Sequence, residues 1–379
     1  MLRNIPFNKV VVGEEEKEAV LHVLETGNLG GNGPIGAKLQ KNIEEFMGVK
    51  HAMLTTSCSD ALELAAMALR LNPGDEVIMP SFTFVTTASS FVREGARPVF
   101  VDIDEETFNI DPSQIEQHIT SRTRAIAVVH YAGQGCEMEK ILEIARRYNL
   151  DVIEDAAQGL GAKYNGHALG TFGRAGCLSF HVTKNIVAGE GGAFVTNDDD
   201  LALRAEIIRE KGTNRSRFLR GEVDKYTWVD LGSSFIPSDL LSAVALAQLG
   251  KIENIYAQRR SIWEKYQSEL AGLQQRGEII LPCVRPKAEI NWHIYAFRVT
   301  DPGQRDYVIE GLKQRGIGAT FHYIPLHSSP YAMERWGYQP EDLPITEQVS
   351  ASLVRLPIYS SLSDEDQEYI IESLYKVMG

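Results

Sequence analysis

From about residue 50 to residue 197, short apolar runs alternate with amphipathic stretches, and this alternation limits the fold more than any other feature of the chain. The runs are His51–Thr55, Glu76–Pro80, Pro98–Ile103, Arg124–His130, Asp151–Asp155, Gly176–Phe180 and Gly192–Thr196. Each is rich in Val, Ile, Ala or Phe and bounded by turn residues. Stretches such as Ser59–Leu71 and Glu137–Asn149 lie between them and have helical patterning. Strand–helix alternation of this kind predicts an α/β fold with a mostly parallel central sheet covered on both faces. On such a sheet, ligand groups gather just beyond the carboxyl ends of the strands.

After Asn197 the texture changes. Asp198–Lys211 reads as a charged helix, and Gly212–Ser234 as a long loop with little periodicity. Loops of that length are usually functional or disordered. Ser238–Leu273 reads as one long helical stretch joining two domains. Strand-like Trp292–Val299 and Ala319–Tyr323, with helical Arg305–Gln314 and Asp364–Val377, predict a smaller C-terminal α+β domain. The expected division is a large domain over 1–245, with the N-terminal segment, and a small one over 246–379.

The bulk numbers exclude some classes of function. A formal net charge of −13 argues against a general binder of nucleic acid or anionic membrane. The four cysteines, Cys58, Cys136, Cys177 and Cys283, are scattered. They read as reduced thiols, not as a disulfide framework or a metal site. No segment approaches the ~18–20 apolar residues of a membrane span, and no signal peptide is visible, so a cytoplasmic protein is expected.

The chemistry sits at the ends of the runs. Ser57-Cys58-Ser59 closes one run and opens a helix, whose free N–H groups would cradle a phosphate; a plain serine cap would look the same. Asp155 ends another run, with Gln158 three residues on. Ser179 ends a third, and Lys184 follows it before a Gly-rich turn, Gly189–Gly192. An aromatic from Phe82 or Phe84 follows a fourth. This set matches the needs of pyridoxal 5′-phosphate (PLP). Lys184 would form the Schiff base, since a partly buried lysine loses its proton readily. Asp155 would keep the pyridine nitrogen protonated through a charge-assisted hydrogen bond. Gln158 would reach the phenolic oxygen, Ser179 the phosphate, and a phenylalanine would stack on the ring. His181 reads more readily as structural.

These segments resemble the DegT/DnrJ/EryC1/StrS family of PLP-dependent nucleotide-sugar aminotransferases, over essentially the whole chain. The resemblance implies the aspartate aminotransferase fold, fold type I. It also implies Lys184 for the internal aldimine, Asp155 and Gln158 on the ring, Ser57, Cys58 and Ser179 on the phosphate, and Phe84 as the stacking ring. Arg209–Ser216, Asp224–Trp228 and Phe321–His327 are similar to the subgroup that makes dTDP-4-amino-4,6-dideoxygalactose for enterobacterial common antigen, a lipopolysaccharide-related pathway. That implies L-glutamate and dTDP-4-keto-6-deoxy-D-glucose as substrates and a homodimer with shared sites. Arg215, Arg217, Arg220 and Lys225 would then offset diphosphate charge, and His322, Tyr323 and His327 would contact the sugar.

Two positions depart from family patterns. Ser234 stands where many members carry an asparagine that reaches the partner's cofactor phosphate, and can still donate one bond. Val182 stands where the subgroup has a glutamate. Other readings are a 3-aminotransferase or one for another epimer, a sugar 3-dehydratase, a PLP-binding regulator without turnover, and a plain nucleotide-sugar binding module. Relatives of the dehydratase type replace the lysine by histidine, and Lys184 is present.

Overall fold

The computed structural model describes residues 3–379. Its centre is a seven-stranded sheet. The strands are β1 (His51–Thr55), β2 (Glu76–Pro80), β3 (Arg97–Val101), β4 (Thr123–Val129), β5 (Asp151–Asp155), β6 (Ala175–Ser179) and β7 (Gly192–Thr196). Their spatial order is β1-β7-β6-β5-β4-β2-β3. Every neighbouring pair is parallel except those that β7 makes with β1 and β6. Parallel neighbours need a crossover, usually a helix. Residues 180–191 contain no helix, so the chain turns back beside β6 instead.

Period-two alternation sorts the apolar side chains onto two buried faces. Val77, Met79, Ala125, Ala127, Ile153 and Cys177 pack with Leu62, Leu64 and Ala65 of the helix Cys58–Ala68. Ile78, Ile126, Val128 and Val152 face the other way, against Ile141 and Ile144 of the helix Met138–Tyr148. With both faces covered, the strands read as continuous apolar runs rather than alternating ones. Two helices near the start, Glu14–Thr26 and Pro34–Met47, complete this part.

The long helical stretch is not a single rod. It divides into Asp239–Leu249, Ile252–Glu269 and Ala271–Gln275. The middle helix belongs to two cores. Ile252, Ile255 and Tyr256 pack against the large sheet, and Ile262, Trp263 and Tyr266 pack into the C-terminal core. That second core forms around the antiparallel strands β8 (Ile279–Ile280), β9 (Tyr295–Val299) and β10 (Leu353–Leu356). The helices Arg305–Lys313 and Asp364–Met378 contribute Val308, Leu312, Ile370 and Leu374 to it.

Ala319–Tyr323 is not a strand. Only Thr320 pairs, with Arg355, and this bridge turns His322 and Tyr323 inward instead of along a ladder. Ile5 joins the C-terminal core. It bridges Ile317 and exchanges backbone hydrogen bonds with Gly316 and Gly318, both at 2.8 Å. Among the described residues, no helix is long and apolar enough to cross a membrane.

Candidate active site

The strand ends surround a cavity of about 480 Å³. In register, Thr55, Gly192 and Ser179 stand side by side, and Asp155 lies one strand further on, paired with Cys177. Because β7 runs against its neighbours, its first residue, not its last, reaches this edge. Gly192 is required there by contact: a Cβ would lie 2.6 Å from the backbone of Ser57 and Cys58. That close approach packs the turn before the helix Cys58–Ala68 against the sheet. Ser57 caps the helix by accepting from the Asp60 N–H at 3.0 Å, and Ser57, Cys58 and Ser59 line the cavity. Burial pushes the Cys58 thiol up, so it is present as the neutral thiol.

Asp155 is buried and its carboxylate is aimed. Oδ2 accepts from Thr87 Oγ1 at 2.6 Å, and Oδ1 accepts from the Ala157 N–H at 3.1 Å. Thr87 is in turn 2.7 Å from Thr83. Glu154 lies on the opposite face of β5. Fully buried, it accepts from the N–H groups of Gly170, Phe172 and Gly173 at 2.8, 2.7 and 2.6 Å, and from His130 Nε2 at 2.8 Å. The Cys136 N–H donates to His130 Nδ1 at 3.2 Å, which fixes the neutral tautomer with its proton on Nε2. Two adjacent acids thus divide the work, one facing the cavity and one anchoring the loop behind β5.

Gln158 accepts from the Ala132 N–H at 2.7 Å and donates through Nε2 to the Tyr323 hydroxyl at 3.0 Å. His322 stacks on Tyr323, with ring centroids 3.6 Å apart. Lys184 lines the cavity, its amine held below the usual lysine range by burial. The neighbouring Asp155 carboxylate acts the other way, and the Arg355 charge lowers it further. Ser179, Phe84 and His181 line the same space. Of the two phenylalanines, Phe84 is exposed there. Phe82 is buried beneath it, among Phe108, Tyr131 and Tyr323.

The structure thus brings together Ser57, Cys58, Ser59, Phe84, Asp155, Gln158, Ser179, Lys184, His322 and Tyr323. Others lie elsewhere. His327 is not a sugar contact: it is wholly buried, its Nδ1 2.8 Å from Ser81 Oγ, and it ties the loop to the end of β2. Arg215, Arg217 and Arg220 do not line the cavity. They pair with Glu210, Glu222 and Glu206 within 3.2 Å. Lys225 and Ser234 are exposed and do not line this chain's own cavity. Two cavity residues, Phe7 from the N-terminal segment and Arg355 from β10, have no signal in the local sequence, and neither has Thr87, which holds Asp155 from behind. They arrive by tertiary packing.

This donor set fits PLP. It combines helix N–H groups and a serine for a phosphate, a positioned carboxylate for a ring nitrogen, and a lysine whose proton affinity is lowered by burial. The comparisons agree. The profile of the DegT/DnrJ/EryC1/StrS aminotransferase family matches residues 11–375. The chain is 36% identical to an uncharacterised protein, MJ1066, of Methanocaldococcus jannaschii, over 99% of this chain and 98% of the other. It is 35% identical to the spore coat polysaccharide biosynthesis protein SpsC of Bacillus subtilis, over 99% and 97%. Among solved structures, the PLP form of Spr1654 from Streptococcus pneumoniae superposes with a TM-score of 0.91 at 26% identity, covering 99% of this chain.

Proposed function

We propose, for a chain that belongs to the DegT/DnrJ/EryC1/StrS aminotransferase family and uses PLP, a specific reaction: transfer of the amino group of L-glutamate to the 4-keto carbon of dTDP-4-keto-6-deoxy-D-glucose. The product is dTDP-4-amino-4,6-dideoxy-D-galactose, a precursor for cell-surface polysaccharide such as enterobacterial common antigen, made in the cytoplasm. The observation that carries this reading is the single cavity in which Lys184 meets Asp155 and the His322–Tyr323 pair.

PLP supplies a carbonyl that takes up the amino group and a ring that stores the electron pair of the substrate carbon. The chain's residues do the rest. Lys184 Nζ, its proton affinity lowered by burial, would carry the proton between the carbon bearing the nitrogen and the neighbouring position. Asp155, held by Thr87 and the Ala157 N–H, would keep a proton on the ring nitrogen. Gln158, whose Nε2 donates to the Tyr323 hydroxyl, would offer its second amide N–H to the cofactor's phenolic oxygen, and Tyr323 and the neutral His322 would line the side where the sugar enters.

The loop segments support a homodimer with shared sites. Tyr226, Trp228, Leu231 and Leu219 are exposed, Trp228 to 76%, a cluster that a second copy would cover. Arg215, Arg220, Lys225 and Ser234 would then serve the partner's cavity, where nucleotide diphosphate and cofactor phosphate bring negative charge. The test is incubation of holoenzyme with L-glutamate and dTDP-4-keto-6-deoxy-D-glucose, with product configuration read by NMR. A 4-amino-galacto product is expected. Amination at C3, or of no dTDP-keto sugar, refutes the assignment.

A further inference from the structure

A second cavity, of about 130 Å³, shares Lys184 with the first and is otherwise walled by different residues. It lies between the N-terminal segment, the turn that carries Val182 and Lys184, and the helix Ile252–Glu269. Asn8 joins the first two by donating to the Val182 carbonyl at 2.9 Å. The charges of this cavity are one-sided. Lys9, Lys184, Lys251 and Arg259 line it, and no Asp or Glu does. Lys251 is answered from outside the wall by Glu15 and Glu16. Lys9 has no acidic partner among the described residues. Arg259 is only 4% exposed, yet its Nε and Nη2 reach nothing but the backbone carbonyls of Trp292 and His293, at 3.1 and 2.6 Å. Its Nη1 has no partner among the described residues. Burial pushes its pKa down to about 10, the Arg355 charge adds to the effect, and no carboxylate opposes it. Arg204 and Arg298, by contrast, find Asp230 and Glu105.

A guanidinium taken out of water without a counter-charge is costly. The wall does not supply one. Val182 lines the cavity with an isopropyl group at the position where the resembling subgroup has a glutamate. Asn8, Asn254, Gln258 and Ser360 add neutral groups that can donate hydrogen bonds to an acceptor. Size selects among anions. The volume of about 130 Å³ matches the liquid share of roughly four waters. That is well under the ~300 Å³ at which pockets for larger ligands begin, so a nucleotide does not fit. A single tetrahedral oxyanion does, and its oxygens can meet a guanidinium, an ammonium and side-chain amides at once. We propose that this cavity binds a free oxyanion of the size of inorganic phosphate, held by Arg259 and Lys9, at a place distinct from the cofactor's phosphate seat and from the substrate cavity. An anion there would tie the N-terminal segment and the lysine turn to the helix Ile252–Glu269, so occupancy stabilises the folded enzyme.

The test uses holoenzyme, in which the cofactor's own phosphate occupies the Ser57–Ser59 turn, in a buffer free of phosphate and sulfate. Inorganic phosphate is titrated by calorimetry at constant ionic strength, and thermal unfolding is followed over the same concentrations. Saturable binding of one phosphate per chain and a rising unfolding midpoint are expected. Val182→Glu supplies a carboxylate from the half-exposed wall and is expected to weaken phosphate binding at least about 10-fold. Lys9→Gln removes one cation, and Gln258→Glu adds a carboxylate at the exposed rim; each should cost about 3- to 10-fold. Saturating dTDP or glutarate, as probes of the substrate cavity, should leave phosphate affinity within about twofold. Three results overturn the proposal. Wild-type holoenzyme binds no phosphate below about 10 mM, folded Val182→Glu binds it as wild type does, or dTDP or glutarate displaces it competitively.

Discussion

Gly192→Ala isolates the packing of the Ser57–Ser59 turn on the sheet, the turn proposed to hold the cofactor phosphate. The added methyl would stand 2.6 Å from three backbone atoms of Ser57 and Cys58, where ordinary contact begins at 3.4 Å. Backbone cannot swing aside as a side chain can, so the turn must retreat by about 0.8 Å. A shift of that size stretches ideal N–H···O bonds of about 2.9 Å beyond useful length. Loss of one charge-assisted bond, at about 1.5–3 kcal/mol, weakens PLP binding about 10- to 100-fold. Overpacking adds about 1–3 kcal/mol of destabilisation. Titrating apoenzyme with PLP by tryptophan fluorescence reads the first effect, and thermal unfolding of the apoenzyme reads the second. Gly191→Ala is the control, because its methyl meets only side-chain atoms at 3.4 to 3.6 Å. If Gly192→Ala binds PLP within about twofold of wild type, the stated role of this contact is wrong.

Other perturbations probe separate parts of the site. Asp155→Asn keeps the shape but removes the charge that retains a ring proton, and turnover is expected to fall at least about 100-fold in steady-state assays while the protein stays folded. Glu154→Gln places an amide among three backbone N–H donors, so one must lose its acceptor; chemical denaturation should show a loss of about 2–4 kcal/mol. Lys184 gives a pH signature. Its folded-state pKa lies below its unfolded value, so the unfolded chain binds more protons between the two. Apoenzyme stability from this group therefore rises with pH through that window, up to about 10.4. Lys184→Met should flatten the rise; an unchanged pH profile in denaturant titrations would remove the buried-amine argument.

The parallel sheet was legible because strands buried on both faces leave continuous apolar runs, and all seven runs correspond to strands. The cavity residues contributed by strand ends were legible for the same reason, since the sheet's edge fixes where Asp155, Ser179 and the Ser57 turn must lie. What escaped came from elsewhere. The antiparallel course of β7 was hidden, because a run of Gly-Ala-Phe-Val-Thr reads alike in either direction. Phe7 and Arg355 reach the cavity from other elements, Thr87 reaches Asp155 behind it, and no local pattern marks them. His327 shows the opposite error. It sits four residues beyond Tyr323, yet its burial against Ser81 makes it a strut.

The pairing of Ile5 with Ile317 sets a timetable for synthesis. Translation proceeds at about 5–20 residues per second, so the ~310 residues between them take roughly 15–60 s. Throughout that interval Ile5 lacks its strand partner, and Phe7 lacks Arg355, whose Cζ lies 4.6 Å from its ring in the finished protein. The segment from Ser57 to Gly192 is finished far sooner, and it carries both the Ser57–Ser59 turn and Lys184. A nascent chain can therefore form the large sheet's end of the cavity while the end bearing Arg355 does not yet exist.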